Sequence, residues 1–337
     1  MQIADLSPKS AKAAQGIKQN NREIVQSNLS FYQNLGRTNL TVSKLGIGGG
    51  GMLNSEDTLY AFDRGINYFF YSSDLHHYMY SHMAEGLRKL CGRGSSVRDK
   101  VVLATVTYIK NPDSIMSALM DQFIDLKIDY IDIFFWGWIG TTDEPMFNEC
   151  MNVSNDLRGA NSLYKRAIEK MMGTSELLKK MGAVRYIGAS FHDLRLASQW
   201  LDSSLLDVVM VRHNVAHRTA QDLVFNRLDA KSPVRPGVVT FKSAGMINPL
   251  DSVPPGLPKG CWQPSVPDLY RYSLAQNCVD VNLTGPNIRE HIDAALLGME
   301  QGDLTPEEIN YLNIYGDLHR NRLNPQDIPS EQLIYRG

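Results

Sequence analysis

Eight short apolar segments alternate with longer helix-like segments along most of the chain, and this alternation limits the possible folds more than any other feature. The strand-like segments cover residues 44–48, 66–71, 100–107, 129–136, 184–190, 207–212, 237–241 and 279–284. The helix-like segments cover residues 55–64, 80–91, 112–126, 161–181, 192–202, 219–228, 266–277 and 287–299. Strict alternation predicts a parallel sheet that is buried on both faces. Eight such units favour an α/β fold of the (β/α)8 or TIM-barrel type over an open sheet, which usually has fewer strands.

The chain divides into two parts at about residue 32. Residues 1–31 are polar and contain few apolar positions, which predicts an N-terminal arm or extension. Residues 32–337 contain all eight repeating units and are expected to form a single barrel. Two long connections, residues 137–160 and 243–265, follow the fourth and seventh strands, so we expect both on the catalytic face, where long loops usually have a function.

Composition narrows the class of partner. The chain is 43% hydrophobic and 21% charged, with a net charge of -2, which argues against nucleic acid or an anionic membrane surface as the partner. No apolar run is long enough to cross a bilayer, and the first residues do not resemble a secretory signal. The four cysteines are scattered and form no C-x-x-C pair. These features predict a cytoplasmic protein that acts on a small molecule, and they leave its oligomeric state open.

Groups that can transfer protons follow the second strand. After an apolar run ending at Tyr71, the sequence continues with Asp74, His76, His77 and Tyr78. The carboxyl ends of parallel strands carry the chemistry of barrel enzymes, so these four residues are candidate catalytic groups. An aspartate can orient an imidazole that then exchanges a proton near neutral pH, although a loop with an Asx turn and solvated histidines is as good an interpretation. The spacing of these residues does not by itself predict a metal site.

Several segments of the predicted barrel resemble the aldo-keto reductases. The segments that carry the resemblance are Leu35–Gly48, Gly65–Phe69, Val101–Thr105, Asp129–Ile133, Tyr186–Ser190, Gly237–Val239 and Val281–Pro286. They occur in the order of that family's hairpin and barrel strands and span roughly residues 32–320. The resemblance implies a TIM barrel that transfers hydride between a nicotinamide cofactor and a carbonyl or alcohol.

The four catalytic residues of that family are all replaced in this chain. The positions of its aspartate, tyrosine, lysine and histidine hold Phe70, Leu75, Val106 and Gly137. A carbonyl reduction needs a proton donor near the developing alkoxide, and none of these side chains can supply one. The sequence is similar to an atypical branch with a Ser72-x-Asp74-x-His76 segment and an Arg212-x-Asn214-x-x-His217 segment, which implies a replaced proton-transfer set.

The resemblance also implies a binding cleft for NADP. The candidate cofactor-binding residues are Ser190, Phe241, Lys242, Gly285, Asn287 and Arg289. Phe241 stands where an aromatic ring normally stacks on the nicotinamide, and Lys242 follows in the region of the pyrophosphate. Two expected contacts are lost, because the usual asparagine is Phe191 and the usual glutamine is Met210.

The remaining candidates would bind substrate. They are Trp138, His192, Arg212, Asn214 and His217. A charge at the end of a buried strand is unfavourable unless it is neutralised, so Arg212 would either clamp a carboxylate or phosphate or pair with Asp193 or Asp207 within the protein. Three functions stay open at this point: an NADP(H)-linked oxidoreductase of non-standard mechanism, a non-redox acid–base enzyme such as a lyase, isomerase or cyclase, and a non-catalytic binding protein.

Overall fold

The computed structural model describes residues 31–109, 111, 114–139, 163–201, 204–245, 250 and 252–336, without the side chains of residues 138 and 163–168. The predicted N-terminal arm therefore lies outside the described residues, except for Phe31. The same is true of the first long connection from residue 140 onward.

A closed barrel of parallel strands forms the centre of the protein. Its strands are β3 (Leu45–Ile47), β4 (Tyr68–Ser72), β5 (Val102–Thr107), β6 (Ile131–Ile139), β7 (Val184–Phe191), β8 (Val208–Arg212), β9 (Gly237–Phe241) and β10 (Val281–Thr284). They follow one another in chain order around the barrel, and β10 closes it by pairing with β3. Each strand corresponds to one of the eight predicted segments, so the predicted TIM barrel is confirmed.

Helices surround the barrel in the positions that the alternation predicts. They are α1 (Ser55–Asp63), α2 (Ala84–Cys91), α3 (Ile115–Leu126), α4 (Leu163–Lys180), α5 (Leu194–Leu201), α6 (Thr219–Leu223), α7 (Val266–Leu274), α8 (Arg289–Glu300) and α9 (Pro306–His319). Two predicted helices are shorter than expected. Residues 77–83 form two 3-10 turns before α2, and α6 ends at Val224, where the backbone leaves helical geometry.

A hairpin of β1 (Tyr32–Asn34) and β2 (Thr41–Ser43) covers the amino-terminal end of the barrel. Its turn residue Leu35 is fully buried and reaches Gly237, the first residue of β9. Gly36 has a φ of +48°, and a Cβ there would lie 2.2 Å from the Gly237 nitrogen. Glycine is required at this contact, because no side chain fits between the hairpin and the start of β9.

A second, smaller core lies beside the barrel. It joins Leu250 and Trp262, from the long connection after β9, to Tyr311 and Tyr315 of α9. The Tyr315 hydroxyl donates to the carbonyl of Ser252 at 2.7 Å, and the Tyr311 hydroxyl donates to the carbonyl of Trp262. This core fixes α9, which was not among the predicted helices, against the chain that follows β8. Within the described residues, no helix combines the length and apolar character that a membrane crossing requires.

Candidate active site

Three of the four positions where the resemblance implies catalytic residues, Phe70, Val106 and Gly137, lie on the inward face of the barrel strands and carry no polar side chain. Phe70 on β4 lies four residues before Asp74, and its ring centroid is 5.8 Å from that of Phe135 on β6. Side chains alternate between the two faces of a strand, so Val106 on β5 and Gly137 on β6 share the inward face with Phe70 and Phe135. Leu75 is 56% exposed outside the barrel. The interior below the mouth is therefore packed with hydrocarbon at the usual catalytic positions.

Tyr108 occupies the space that Gly137 leaves. A Cβ on Gly137 would lie 2.6 Å from a ring carbon of Tyr108, so this glycine makes room for the phenol ring. The His76 ring meets Tyr108 edge-on, with ring centroids 4.8 Å apart. An imidazole and a phenol thus lie in contact at the carboxyl ends of β4 and β5. These are two groups that can act in general acid–base chemistry.

Hydrogen bonds to the carboxylate of Asp74 join β4 to β5, and we call this set of bonds the Asp74 clamp. Its oxygens accept hydrogen bonds from the Ser72 hydroxyl at 3.0 Å, the Thr107 hydroxyl at 2.7 Å and the Tyr108 backbone N–H at 2.8 Å. Among the described residues these bonds occupy the carboxylate, and none goes to His76. Asp74 therefore holds the backbone of Tyr108. In place of the predicted contact between Asp74 and His76, both residues contact Tyr108, Asp74 at its backbone N–H and His76 at its ring.

His77 and Tyr78 lie further from the mouth. His77 Nδ1 is 3.2 Å from the carbonyl of Ser72, and its ring packs edge-on against Tyr71. Tyr78 is 69% exposed. A third tyrosine, Tyr80, is buried between the Phe70 ring and the backbone of Gly49. Burial raises the pKa of Tyr80 above its usual value of 10.0, and a hydrogen bond from Gly49 lowers it by less.

Phe241 and Arg212 lie side by side on the opposite part of the mouth. The two residues are in register on β9 and β8, and both belong to the inward-facing set. Phe241 is half-buried at the end of its strand, and the exposed His192 ring lies 5.8 Å from it. Ser190 is buried at the end of β7 beside Met210. The ring of Phe241 is placed as a flat apolar surface at the rim.

Lys242 follows Phe241 with a left-handed backbone, at a φ of +60°. Asn214 holds this conformation, because its Nδ2 donates to the Lys242 carbonyl at 2.9 Å. The Asn214 Oδ1 also accepts from the backbone N–H groups of Ala216 and His217, so this buried amide builds the turn after β8. The Lys242 Nζ is thereby held 5.5 Å from the centroid of the Phe241 ring. Burial and the charge of Arg212 lower the pKa of Lys242.

The guanidinium of Arg212 contacts the ring of His217. One terminal nitrogen lies 2.8 Å from Nδ1 and 2.5 Å from Nε2 of that imidazole. Burial, followed by the charges of Arg212, Arg320 and Arg322, lowers the pKa of His217 to about 4. His217 is therefore neutral at pH 7. Neither predicted acidic partner reaches Arg212, because Asp193 binds Arg195 and Asp207 binds Lys179 and Arg37.

The last predicted cofactor loop connects β10 to α8. Gly285 to Asn287 pack against the glycine run after β3, where a Cβ on Gly50 would lie 2.3 Å from the carbonyl of Pro286. Ile288, the residue that caps α8, makes no side-chain capping bond within the described residues, so amides at this helix end can face an anion. Arg289 binds Asp57 at 2.9 Å, and its guanidinium lies 4.5 Å from the centroid of Tyr60.

Two remaining points from the sequence concern Trp138 and metal binding. Trp138 belongs to β6 near the mouth, but its side chain is outside the described part of the structure. In the described residues, no group of three His, Cys, Asp or Glu side chains is arranged to hold a metal ion.

Comparison with known proteins places this arrangement in a family. A closed parallel barrel with polar side chains at the carboxyl ends of its strands is a (β/α)8 protein. The model of the Aldo/keto reductase family matches residues 54–225, just over half of the chain. The chain therefore belongs to the aldo/keto reductase family, and family and fold together support an oxidoreductase of that type. A search among curated protein sequences found no match.

Solved structures agree on the fold. An aldo-keto reductase from Bacillus halodurans in its holo form is 20% identical, with a TM-score of 0.62 over 84% of this chain and 95% of that one. Its apo form is 21% identical, with a TM-score of 0.59 over the same shares of the two chains. A thermostable aldo-keto reductase solved with the inhibitor epalrestat is 16% identical, with a TM-score of 0.60 over 84% of this chain and 99% of that one.

Sequence reasoning missed Tyr108. The residue directly follows the third barrel strand, and a tyrosine at such a strand end was a usable signal. The stronger signal was Gly137 on the next strand, because a glycine leaves a volume that a neighbouring ring can fill. Tyr80 lies just after the polar segment that follows the second predicted strand, but its burial against Gly49 depends on the packing of two loops.

Proposed function

We propose that this protein is an NADP(H)-dependent oxidoreductase in which His76 and Tyr108 replace the missing proton-transfer residues. The observation that carries the proposal is the Tyr108 ring, held over Gly137 by the Asp74 clamp and in contact with His76. A phenol can donate the proton that a developing alkoxide requires, and an adjacent imidazole can return it. The pair is also anchored in the right part of the fold, at the carboxyl ends of two barrel strands.

The residues of the mouth fit a nicotinamide dinucleotide. Phe241 offers a half-buried ring for stacking. The amides at the start of α8, next to Gly285 and Asn287, fit a phosphate, and Arg289, the first residue of that helix, carries a cation there that also pairs with Asp57. The cofactor would supply the hydride when bound. The described residues would orient its ring at Phe241 and hold a proton at Tyr108.

A fluorescence titration with NADPH tests this proposal. We expect saturable quenching by the wild-type protein and roughly three- to tenfold weaker binding by Phe241→Ala, because an aromatic pair contributes about 0.5–1.5 kcal/mol beyond its buried area. Arg289→Gln should reduce the preference for NADPH over NADH. A wild-type protein that shows no saturable response at millimolar NADPH would exclude the proposal.

One observation favours a non-redox acid–base enzyme as the second candidate. Phe70, Val106 and Gly137 carry no polar side chain at positions where the resemblance implies catalytic residues, and Phe135 packs against Phe70, so the interior gives no direct support to carbonyl reduction. Such an enzyme would use His76 and Tyr108 on a substrate bound in the old cofactor cleft. It would turn over without nicotinamide and lose that activity in His76→Ala.

A further inference from the structure

The end of β8 carries a partly buried cation without an acidic partner. Arg212 faces inward at the level of Phe241, and its Nε atom is buried with no hydrogen-bond partner in the described part of the structure. Its only polar contact there is with the neutral ring of His217. An unpaired guanidinium in such a place is unfavourable unless something neutralises it.

Further cations surround Arg212. Lys242 comes from the turn after β9, and Arg320 comes from the end of α9. Burial lowers the pKa of both Arg212 and Lys242, and in addition the charge of Arg320 lowers that of Arg212 and the charge of Arg212 lowers that of Lys242. Neither residue forms an ion pair within the described ranges. The acid on this side, Asp317, is already bound by Arg218 through two bonds of 2.8 and 2.9 Å.

The strand order separates this cluster from the predicted phosphate site. Phe241 lies on β9, the phosphate loop follows β10 on one side, and Arg212 lies on β8 on the other side. A dinucleotide with its nicotinamide on Phe241 and its phosphates at the start of α8 would leave Arg212 facing the substrate. Carboxylates and phosphates are the groups that match a guanidinium in shape and charge.

We propose that Arg212, together with Lys242, binds an anionic group of the substrate, a carboxylate or a phosphate, at the mouth of the barrel beside Phe241. The assignment to substrate rests on the proposed function, because it uses the expected direction of the cofactor. Asn214 and His217 act as positioning residues. Asn214 fixes the backbone of Lys242 and meets His217 Nδ1 through its amide oxygen, so that His217 Nε2 can accept a hydrogen bond from the guanidinium of Arg212.

The binding test uses inorganic phosphate and the ring resonances of His217, followed by NMR. An anion beside Arg212 offsets the cationic field, so phosphate should shift these resonances saturably and raise the pKa of His217 from its low value. In Arg212→Gln we expect phosphate to bind about tenfold more weakly or worse. Lys242→Gln should weaken phosphate binding by a smaller factor, and it tests the same site if Arg212→Gln does not fold.

Arg195→Gln is the matched control, since it also removes one arginine near the mouth, from an exposed pair with Asp193. It should bind phosphate as the wild type does. The proposal is overturned if phosphate leaves His217 unchanged, or if Arg212→Gln and Lys242→Gln respond like the wild type.

A second arm repeats the phosphate titration with NADPH present. A response of His217 that persists supports the substrate site, whereas competition between NADPH and phosphate at His217 would assign the cations to the cofactor and overturn the proposal. If NADPH does not bind at all, the phosphate response still reports on the anion site. Failure of the proposed function and failure of this inference are therefore distinguishable.

Discussion

Two corners of the barrel mouth differ in whether their charged side chains find partners inside the protein. At the β4–β5 corner, the carboxylate of Asp74 receives hydrogen bonds from Ser72, Thr107 and Tyr108. At the β8–β9 corner, Arg212 and Lys242 lie together without an acid among the described residues. A charge whose bonding capacity is used inside the protein builds structure, and a charge that is left unneutralised is available to a ligand. We therefore propose that the first corner positions a proton donor and that the second corner binds an anion.

The largest expected effect is on turnover at the first corner. Tyr108→Phe and His76→Ala should each lower kcat/KM by about 10²–10⁴-fold, the usual contribution of general acid–base catalysis. NADPH oxidation with small carbonyl compounds that carry a carboxylate or phosphate would measure this, and NADPH affinity should change little. Tyr78→Phe, at an exposed tyrosine of the same segment, should keep wild-type activity. Full activity in Tyr108→Phe would show that the Tyr108 hydroxyl does not donate the proton.

Loss of the Asp74 clamp should destabilise the protein. Asp74→Ala leaves the Thr107 hydroxyl and the Tyr108 N–H without their acceptor, so we expect the free energy of unfolding to fall by about 2 kcal/mol. Urea denaturation would measure the change. Asp222→Ala, on the outer helix α6, should have little effect. Wild-type stability in Asp74→Ala together with lost activity would show that Asp74 acts chemically and does not position Tyr108.

The stability of the protein should depend on pH through two histidines, His217 at the second corner and the buried His213 next to Arg212 in the chain. Burial lowers the pKa of His213 to about 3, and burial followed by nearby arginines lowers that of His217 to about 4, from an ordinary value of 6.5. Below pH 6.5 the unfolded chain binds more protons than the folded protein, so the free energy of unfolding should fall as the pH decreases toward 4. His213→Gln should flatten this dependence, while His82→Gln, at an exposed position, should leave it unchanged. A pH-independent midpoint of urea unfolding between pH 6.5 and 4 would contradict the account.

The smallest expected effect concerns the backbone of Lys242. Its φ of +60° strains a residue with a side chain by about 1 kcal/mol, so Lys242→Gly should unfold at the same or a slightly higher temperature. Lys242→Val should lower that temperature, because a β-branched residue adopts this conformation less readily. If both variants melt alike, the left-handed turn that Asn214 holds is not a constraint on this corner.

The fold was predictable because its signal repeats. Most positions of each barrel strand are buried, so the strands form largely apolar runs, and the order of eight runs leaves few alternatives. The α9 helix was harder to foresee, because its buried face packs on Trp262 from a distant connection.

The candidate site was predictable in location and less so in detail. Arg212, Asn214 and Phe241 were found as residues at strand ends, yet only packing shows that Asn214 holds the turn while Arg212 lacks an acid. Asp74 and His76 are two residues apart, but the carboxylate turns toward β5. Sequence spacing cannot show such a choice between neighbouring strands, and it could not show that Tyr108 fills the space above Gly137.

A crystal structure with NADP tests the central claim most directly. The account predicts the nicotinamide ring on Phe241, with its C4 atom facing the His76–Tyr108 pair and the phosphates at the start of α8. In that complex Arg212 should remain free to meet the substrate. A nicotinamide placed elsewhere, or a C4 atom with neither His76 nor Tyr108 across the cleft, would contradict the assignment of the two corners.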